Sequence, residues 1–250
     1  LNAKGKTSIT EPFSTRNHTE LMFKQLGLDI ETKGNKITFN GQNEFDGINF
    51  KVPGDFSSAA FLIGAALISK DADICIENVG INPTRIGFLE VLKEMNANIN
   101  FENKNFQGGE PMADIRAKFS PDMEGIDVPP ERAASMIDEY PILSVVAAFA
   151  KGKTMMRGVR ELRVKESDRI DSMAKGLKSN GLKIEQGEDW WSVEGREIDG
   201  VDGGGFCETF LDHRIAMSFL VMGMASKRAL TIDNSSPITT SFPSFESLMA

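Results

Sequence analysis

Two hundred and fifty residues with a mass of 27.4 kDa leave room for one large domain or two small ones. Hydrophobic residues make up 40% and charged residues 26%, which excludes a disordered or collagen-like chain. The net charge of −8 and the absence of a basic stripe argue against nucleic acid, and two cysteines and two histidines are too few for a disulfide framework or a multi-histidine metal site.

The chain reads as a repeat. Its first copy is a strand over 6–10 (KTSIT), a polar loop holding Thr15, Arg16, Asn17 and His18, an amphipathic helix, and a strand ending at Ile30. Gly41, Gln42 and Gly47 punctuate the segment after it, so the best domain boundary lies at 41–47: residues 1–47 end one domain and 48–250 form another. An extended approach, FKVPGD, leads into an apolar helix over 57–68, with Asp55, Ser57 and Ser58 supplying N-cap chemistry. This stretch holds the longest apolar run, 59–68, which is too short to cross a bilayer.

The second copy runs ADICIENV, then NPTR and an amphipathic helix, then ANI, over 72–99. A second approach, IDVPPE, precedes an apolar helix over 136–150, and the third copy occupies 153–184, with the charged string RVKESDR ahead of its surface helix. A third approach, CETFLD, precedes the apolar helix 212–225, for which Asp212 is the N-cap. A fourth copy begins at ALTIDN and stops at Ala250, inside what reads as a helix. The three apolar helices are Ala-, Met- and Leu-rich on every side and should be buried. The expected architecture is α/β (α+β), a repeated strand, buried helix, strand, surface helix, strand, strand (βαβαββ). Both ends look cut, no charged-then-apolar leader opens the chain, and free thiols fit a cytoplasmic protein.

Charge gathers in the loops that open the surface helices: Arg16 and His18, Arg85, then Lys165, Glu166, Asp168 and Arg169. Helix N-termini offer free N–H groups and a positive dipole end, so added cations make an anion site. They also oppose the dipole, at about 0.3–1 kcal/mol each, and need compensation, for which a bound anion is one candidate. The competing reading is a solvated turn, with Glu161 and Lys165 paired at i,i+4.

Asp138 and Glu139 precede an apolar run that starts at Tyr140 and Pro141. Asp138 is either an N-cap or a partly desolvated carboxylate with a raised pKa that accepts a proton. Arg214 heads a buried helix and requires a partner or a ligand. Cys75, Cys207, the Trp190–Trp191 pair in a hairpin strand, the glycine run 203–205 and Met217, Met222 and Met224 read as structural.

VPGDFSSAAFLI, PPERAASMIDEYPIL, ELRVKESDRI and LDHRIAMSFLVMGMA, in that order, closely resemble the EPSP synthase (3-phosphoshikimate 1-carboxyvinyltransferase) family. NPTR and TSFPSF look most like its glyphosate-tolerant class. The resemblance implies a two-domain inside-out α/β barrel (prism), each domain of three βαβαββ units, of which this chain is the C-terminal portion. It implies a transferase with phosphoenolpyruvate and shikimate 3-phosphate as substrates, no cofactor, no membrane or nucleic-acid partner, and the N-terminal domain as missing partner. By motif position Asp138 resembles the carboxylate that binds shikimate phosphate and the proposed base, Glu166 the proton shuttle, and Lys165 the cation bridging both substrates. Arg169 and Arg214 resemble the phosphoenolpyruvate clamps, and Arg16 a shikimate-phosphate contact. The family's early Lys-Ser…Arg and Ser-Ala/Ser-Gln motifs are not in this chain, and the lysine that some members carry in the closing turn is replaced by the 239–243 stretch TTSFP. A non-catalytic anion-binding module and a UDP-N-acetylglucosamine enolpyruvyl transferase are the alternatives.

Overall fold

A computed structural model describes residues 1–13, 15–42 and 44–249. Ser14 of the STRNHT stretch, Asn43 of the boundary segment and Ala250 lie outside the described residues. The elements are β1 (Lys6–Thr10), α1 (His18–Gln25), β2 (Ile30–Lys33), β3 (Lys36–Asn40), α2 (Phe56–Ile68), β4 (Asp73–Gly80), α3 (Gly87–Glu94), β5 (Ile99–Gln107) and β6 (Glu110–Lys118). Next come β7 (Asp127–Val128), α4 (Ala133–Met136), α5 (Tyr140–Ala148), β8 (Lys153–Arg157), α6 (Arg169–Ser179), β9 (Lys183–Gln186) and β10 (Trp190–Glu194). The last are β11 (Phe206–Cys207), α7 (His213–Ala225), β12 (Thr231–Ile232), α8 (Ile238–Ser241) and α9 (Phe245–Met249).

The repeat is explicit in the sheets. Their strand orders are β1-β3-β2, β4-β6-β5 and β7-β8-β10-β9, so in each copy the third strand lies between the two that the surface helix connects. The approach segments pair in parallel with the strand beyond the buried helix: Gly54 with Val79, β7 with β8, β11 with β12. A parallel pair needs such a crossover, and here the crossovers are the apolar helices α2, α5 and α7.

Those three helices pack on one another and form the centre. Phe61, Ile63 and Leu67 of α2, Ile142, Leu143 and Val146 of α5, and Phe219 and Met222 of α7 are all buried. Each large side chain so removed from water contributes about 1.5–3 kcal/mol. Two glycines permit close approaches between helices. A Cβ on Gly64 would stand 2.9 Å from Ile142 Cδ1, and one on Gly176 would stand 2.1 Å from the Phe219 ring. Trp191 is buried in β10 against Tyr140, as a hairpin strand predicts, with ring centroids 5.8 Å apart.

Two expectations need correction. The helix 136–150 is two helices, α4 and α5, because residues 137–139 form a turn. The surface helix of the third copy starts at Arg169, behind the charged string as expected, with residues Arg160–Val164 in a 3-10 turn and 165–168 irregular. Asp138 is not an N-cap: Glu139 holds that position in α5 and its side chain makes no cap bond. The caps assigned to Asp55 and Asp212 are present, with Asp55 accepting from Ser58 N and Asp212 from Arg214 N.

Candidate active site

The turn between α4 and α5 aims Asp138 at cations from three distant parts of the chain. Arg16 Nη2, from the loop before α1, donates to Asp138 Oδ2 at 3.1 Å. Arg169 Nη1, from the first residue of α6, donates to Asp138 Oδ1 at 3.2 Å. Arg214 Nη2, near the start of α7, stands 3.9 Å from Asp138 Oδ2. Lys165 is close enough for its charge to act on the same carboxylate. The heads of the buried helices therefore face the loops that open the surface helices.

Arg169 is the hub. Its Nε donates to Asp212 Oδ2 at 2.8 Å, and its Nη2 donates to Glu166. One guanidinium thus holds Asp138, Glu166 and Asp212 together while its own side chain is 1% exposed. The planar fork of arginine makes such a load possible. Asp212 serves two purposes: Oδ1 caps α7 through Arg214 N at 2.9 Å, and Oδ2 takes Arg169 and Ser167 Oγ, the latter at 3.1 Å. The sequence offered Asp212 only as a cap. The compensation that cations at helix starts require is supplied here by these carboxylates.

Electrostatics overturn one expectation. Burial pushes the Asp138 carboxyl up, but the charge of Arg214, the hydrogen bond from Arg16 and the charges of Arg169 and Lys165 outweigh it and hold it at about 2. The raised carboxyl is its neighbour. Glu139 is 1% exposed, and burial pushes its pKa up against the charge of Arg85 and the hydrogen bond from Ser57. Ser57 Oγ donates to Glu139 Oε1 at 2.5 Å and accepts from Arg85 Nη2 at 2.7 Å. Sequence reasoning placed Ser57 in a cap and gave Glu139 no role. His213 is pushed down by burial and by the charge of Arg214.

The more open cationic heads are Arg16, Lys165 and Arg214, with side chains 39%, 24% and 16% exposed. Lys165 donates to Glu161, the pair expected of a self-paired turn. The predicted residues Arg16, Asp138, Lys165, Glu166, Arg169 and Arg214 therefore meet around one carboxylate. A cavity of about 340 Å³ lies to one side, between α1 and β6, with Phe50, Val52 and Phe56 in its wall. Among the described residues no group of His, Cys, Asp and Glu could hold a metal ion, and no helix is long and apolar enough to cross a membrane. The chemistry on offer is that of charge: bind an anion, polarise it, and pass a proton through a carboxylate.

Solved structures define the class. An EPSP synthase from Acinetobacter baumannii superposes with a TM-score of 0.93 at 45% identity, over 98% of this chain and 56% of that one. The enolpyruvyl transferase NikO from Streptomyces tendae shares the fold, with a TM-score of 0.75 at 17% identity, over 98% of this chain and 55% of that one. The fold is thus the enolpyruvyl transferase fold.

Within that class, residues 1–249 match the family EPSP synthase (3-phosphoshikimate 1-carboxyvinyltransferase), and the chain belongs to it. It is 59% identical to a 3-phosphoshikimate 1-carboxyvinyltransferase from Ruegeria sp., over 100% of this chain and 56% of that protein. The figure is 56% for the one from Roseobacter denitrificans, again over 100% of this chain and 56% of that protein. The chain therefore spans about 56% of the length of the curated relatives it matches.

Proposed function

We propose that this chain is the C-terminal portion of an enzyme that transfers the enolpyruvyl group of phosphoenolpyruvate to the 5-hydroxyl of shikimate 3-phosphate. The products are EPSP and phosphate, and the step serves aromatic amino acid (chorismate) biosynthesis in the cytoplasm. Residues 1–47 end one domain and 48–250 make up most of the other, with the opposing cleft wall in the part of the family's length that this chain does not span. The observation that carries the reading is the meeting of Arg16, Arg169 and Arg214 at Asp138 in a member of this family.

Both substrates are multiply anionic, so a cluster of guanidinium and ammonium groups at helix starts suits them. Arg214 grips phosphoenolpyruvate, Lys165 bridges both substrates, and Arg16 with Asp138 holds shikimate 3-phosphate. Arg169, loaded with three carboxylates, reaches substrate only with N–H groups those carboxylates leave free, and its main work is to fix Glu166 beside Asp138. A general acid protonates the alkene methylene and a base removes the hydroxyl proton, through a tetrahedral intermediate. Glu166, half exposed beside Arg169, is the proton carrier. Asp138, held near 2, is an acceptor that orients the hydroxyl; anionic substrates entering the cluster offset the arginine charge and bring it closer to a working base.

The test is phosphate release from the two substrates by the protein expressed from its full reading frame. We expect turnover there, none from residues 1–250 alone, and a fall of about 10²–10⁴ in turnover for Glu166→Gln with little change in binding. Unimpaired Glu166→Gln removes the proton carrier. Near-normal release by the 250-residue chain refutes the shared cleft, and no release by the full protein leaves an anion-binding module.

A further inference from the structure

Resting on that reading, we propose that the turn from Asn82 to Arg85 is a positioning element that sets both members of the Arg16–Asp138 pair. The turn touches neither residue. It grips the neighbour of each.

Its first arm is Asn82. The Oδ1 atom closes the turn on itself, accepting from Thr84 N at 2.9 Å and Thr84 Oγ1 at 2.7 Å. The Nδ2 atom reaches out of the turn and donates to Asn17 Oδ1 at 2.8 Å and to Glu110 Oε2 at 2.9 Å. Asn17 directly succeeds Arg16, and Glu110 Oε1 meets His18 Nδ1 at 2.6 Å on its other side. The two residues after Arg16, the N-cap and the first residue of α1, are thus moored to β6 and to this turn.

Its second arm is Arg85. Through Ser57 Oγ it holds Glu139, the residue after Asp138, in the turn that aims Asp138. Asn82 is 2% exposed and Arg85 7% exposed. Buried polar and ionic groups of this kind are poor sources of stability compared with apolar packing, so their value lies in the geometry they specify. Here one four-residue turn, between β4 and α3, addresses a loop of the first copy and a helix head of the third. The Arg16 to Asp138 contact joins residues 122 apart, and this turn is the common support on both sides.

The experiment uses the protein from its full reading frame and reads KM for each substrate and kcat for Asn82→Ala, Ser57→Ala, Arg16→Ala and the double variant Arg16→Ala/Asn82→Ala. We expect Asn82→Ala and Ser57→Ala each to raise the shikimate 3-phosphate KM roughly tenfold, the effect of one misplaced hydrogen bond. The phosphoenolpyruvate KM should stay within about twofold, because Arg214 and Lys165 are not moored to this turn. In the Arg16→Ala background the further effect of Asn82→Ala should vanish, since Asn82 acts through Arg16. Equal losses for both substrates, or an Asn82→Ala loss undiminished in that background, overturn the proposal and leave the turn a fold element. If Arg16→Ala alone leaves the shikimate 3-phosphate KM unmoved, the substrate role of Arg16 fails first and the proposal falls with it. Should Asn82→Ala not fold, Ser57→Ala decides by the same split between the two KM values.

Discussion

Asp138 and Glu139 are consecutive carboxylates with arginine for company, yet their chemistry diverges. Asp138 faces Arg16, Arg169 and Arg214 at a partly open surface, and its carboxyl is held at about 2. Glu139 is buried beside Ser57 and Arg85, with the charge of Arg214 also acting on it, and burial pushes its carboxyl up. Burial alone therefore does not decide a carboxylate's acidity. The number of cations that tertiary structure delivers decides it, and a half-turn of backbone separates the two outcomes.

The open side depends on one cation above all, and removing it should have the largest effect. Arg169→Met strips Asp138, Glu166 and Asp212 of a shared partner at a site 1% exposed. The cost should be about 5 kcal/mol, the upper end for an orphaned buried charge, and on the order of 10 °C in thermal unfolding. Arg169→Lys should recover little, because an ammonium cannot bond three carboxylates in a plane. A loss below about 1 kcal/mol would mean that solvent already serves these groups.

On the buried side Arg85→Met takes from Glu139 its nearest cation, at a cost of about 3–5 kcal/mol near neutral pH. The sign of the pH dependence separates the two sides. Glu139 binds its proton more tightly folded than unfolded, and the variant strengthens that. Its stability is therefore greatest below the unfolded carboxylate pKa and is lost as pH rises through the folded one. Urea unfolding of the variant between pH 5 and pH 8 should show rising stability toward acid; a flat profile contradicts the assignment.

Asp138→Asn tests the opposite sign. A carboxyl lowered from 3.8 to about 2 contributes about 2 kcal/mol above the unfolded pKa. That contribution is lost as pH falls through the folded pKa. The variant should thus be less stable than the parent at neutral pH, and the gap should close between pH 4 and pH 2. A gap that persists at pH 2 would assign the loss to packing rather than to charge.

The repeat was legible because its signals are local. Residues 57–68 and 212–225 are apolar all round, and the strands between them recur at matching places, so α2, α7 and the βαββ order could be read from spacing. The meeting of the charged motifs was legible only as a resemblance. Their loads were not legible. Arg169 at a helix start looks like a surface residue, and only tertiary packing buries it. The acidity of Asp138 depends on arginines at 16, 169 and 214, whose approach no local pattern announces. The break before α5 was hidden because apolar residues flank it, Met136 and Ile137 ahead of Asp138 and Glu139 and the run from Tyr140 behind them. Ser57 was hidden behind Asp55, whose cap on Ser58 accounts for the same short string.

That cap gives the smallest test. Asp55 and Asp212 both open central helices, and both bond a backbone N–H of the first turn. Asp55 does little more: its side chain is 61% exposed and lies 4.0 Å from Arg85. Asp55→Ala should therefore cost about 1 kcal/mol, the usual worth of an N-cap, and Asp55→Ser should restore most of it. Asp212→Ser also keeps a capping oxygen, but it removes the acceptor of Arg169 Nε and Ser167 Oγ inside a fully buried site. Serine should rescue the first position and fail at the second. Equal rescue at both, read by thermal unfolding, would reduce Asp212 to a cap and detach Arg169 from the head of α7.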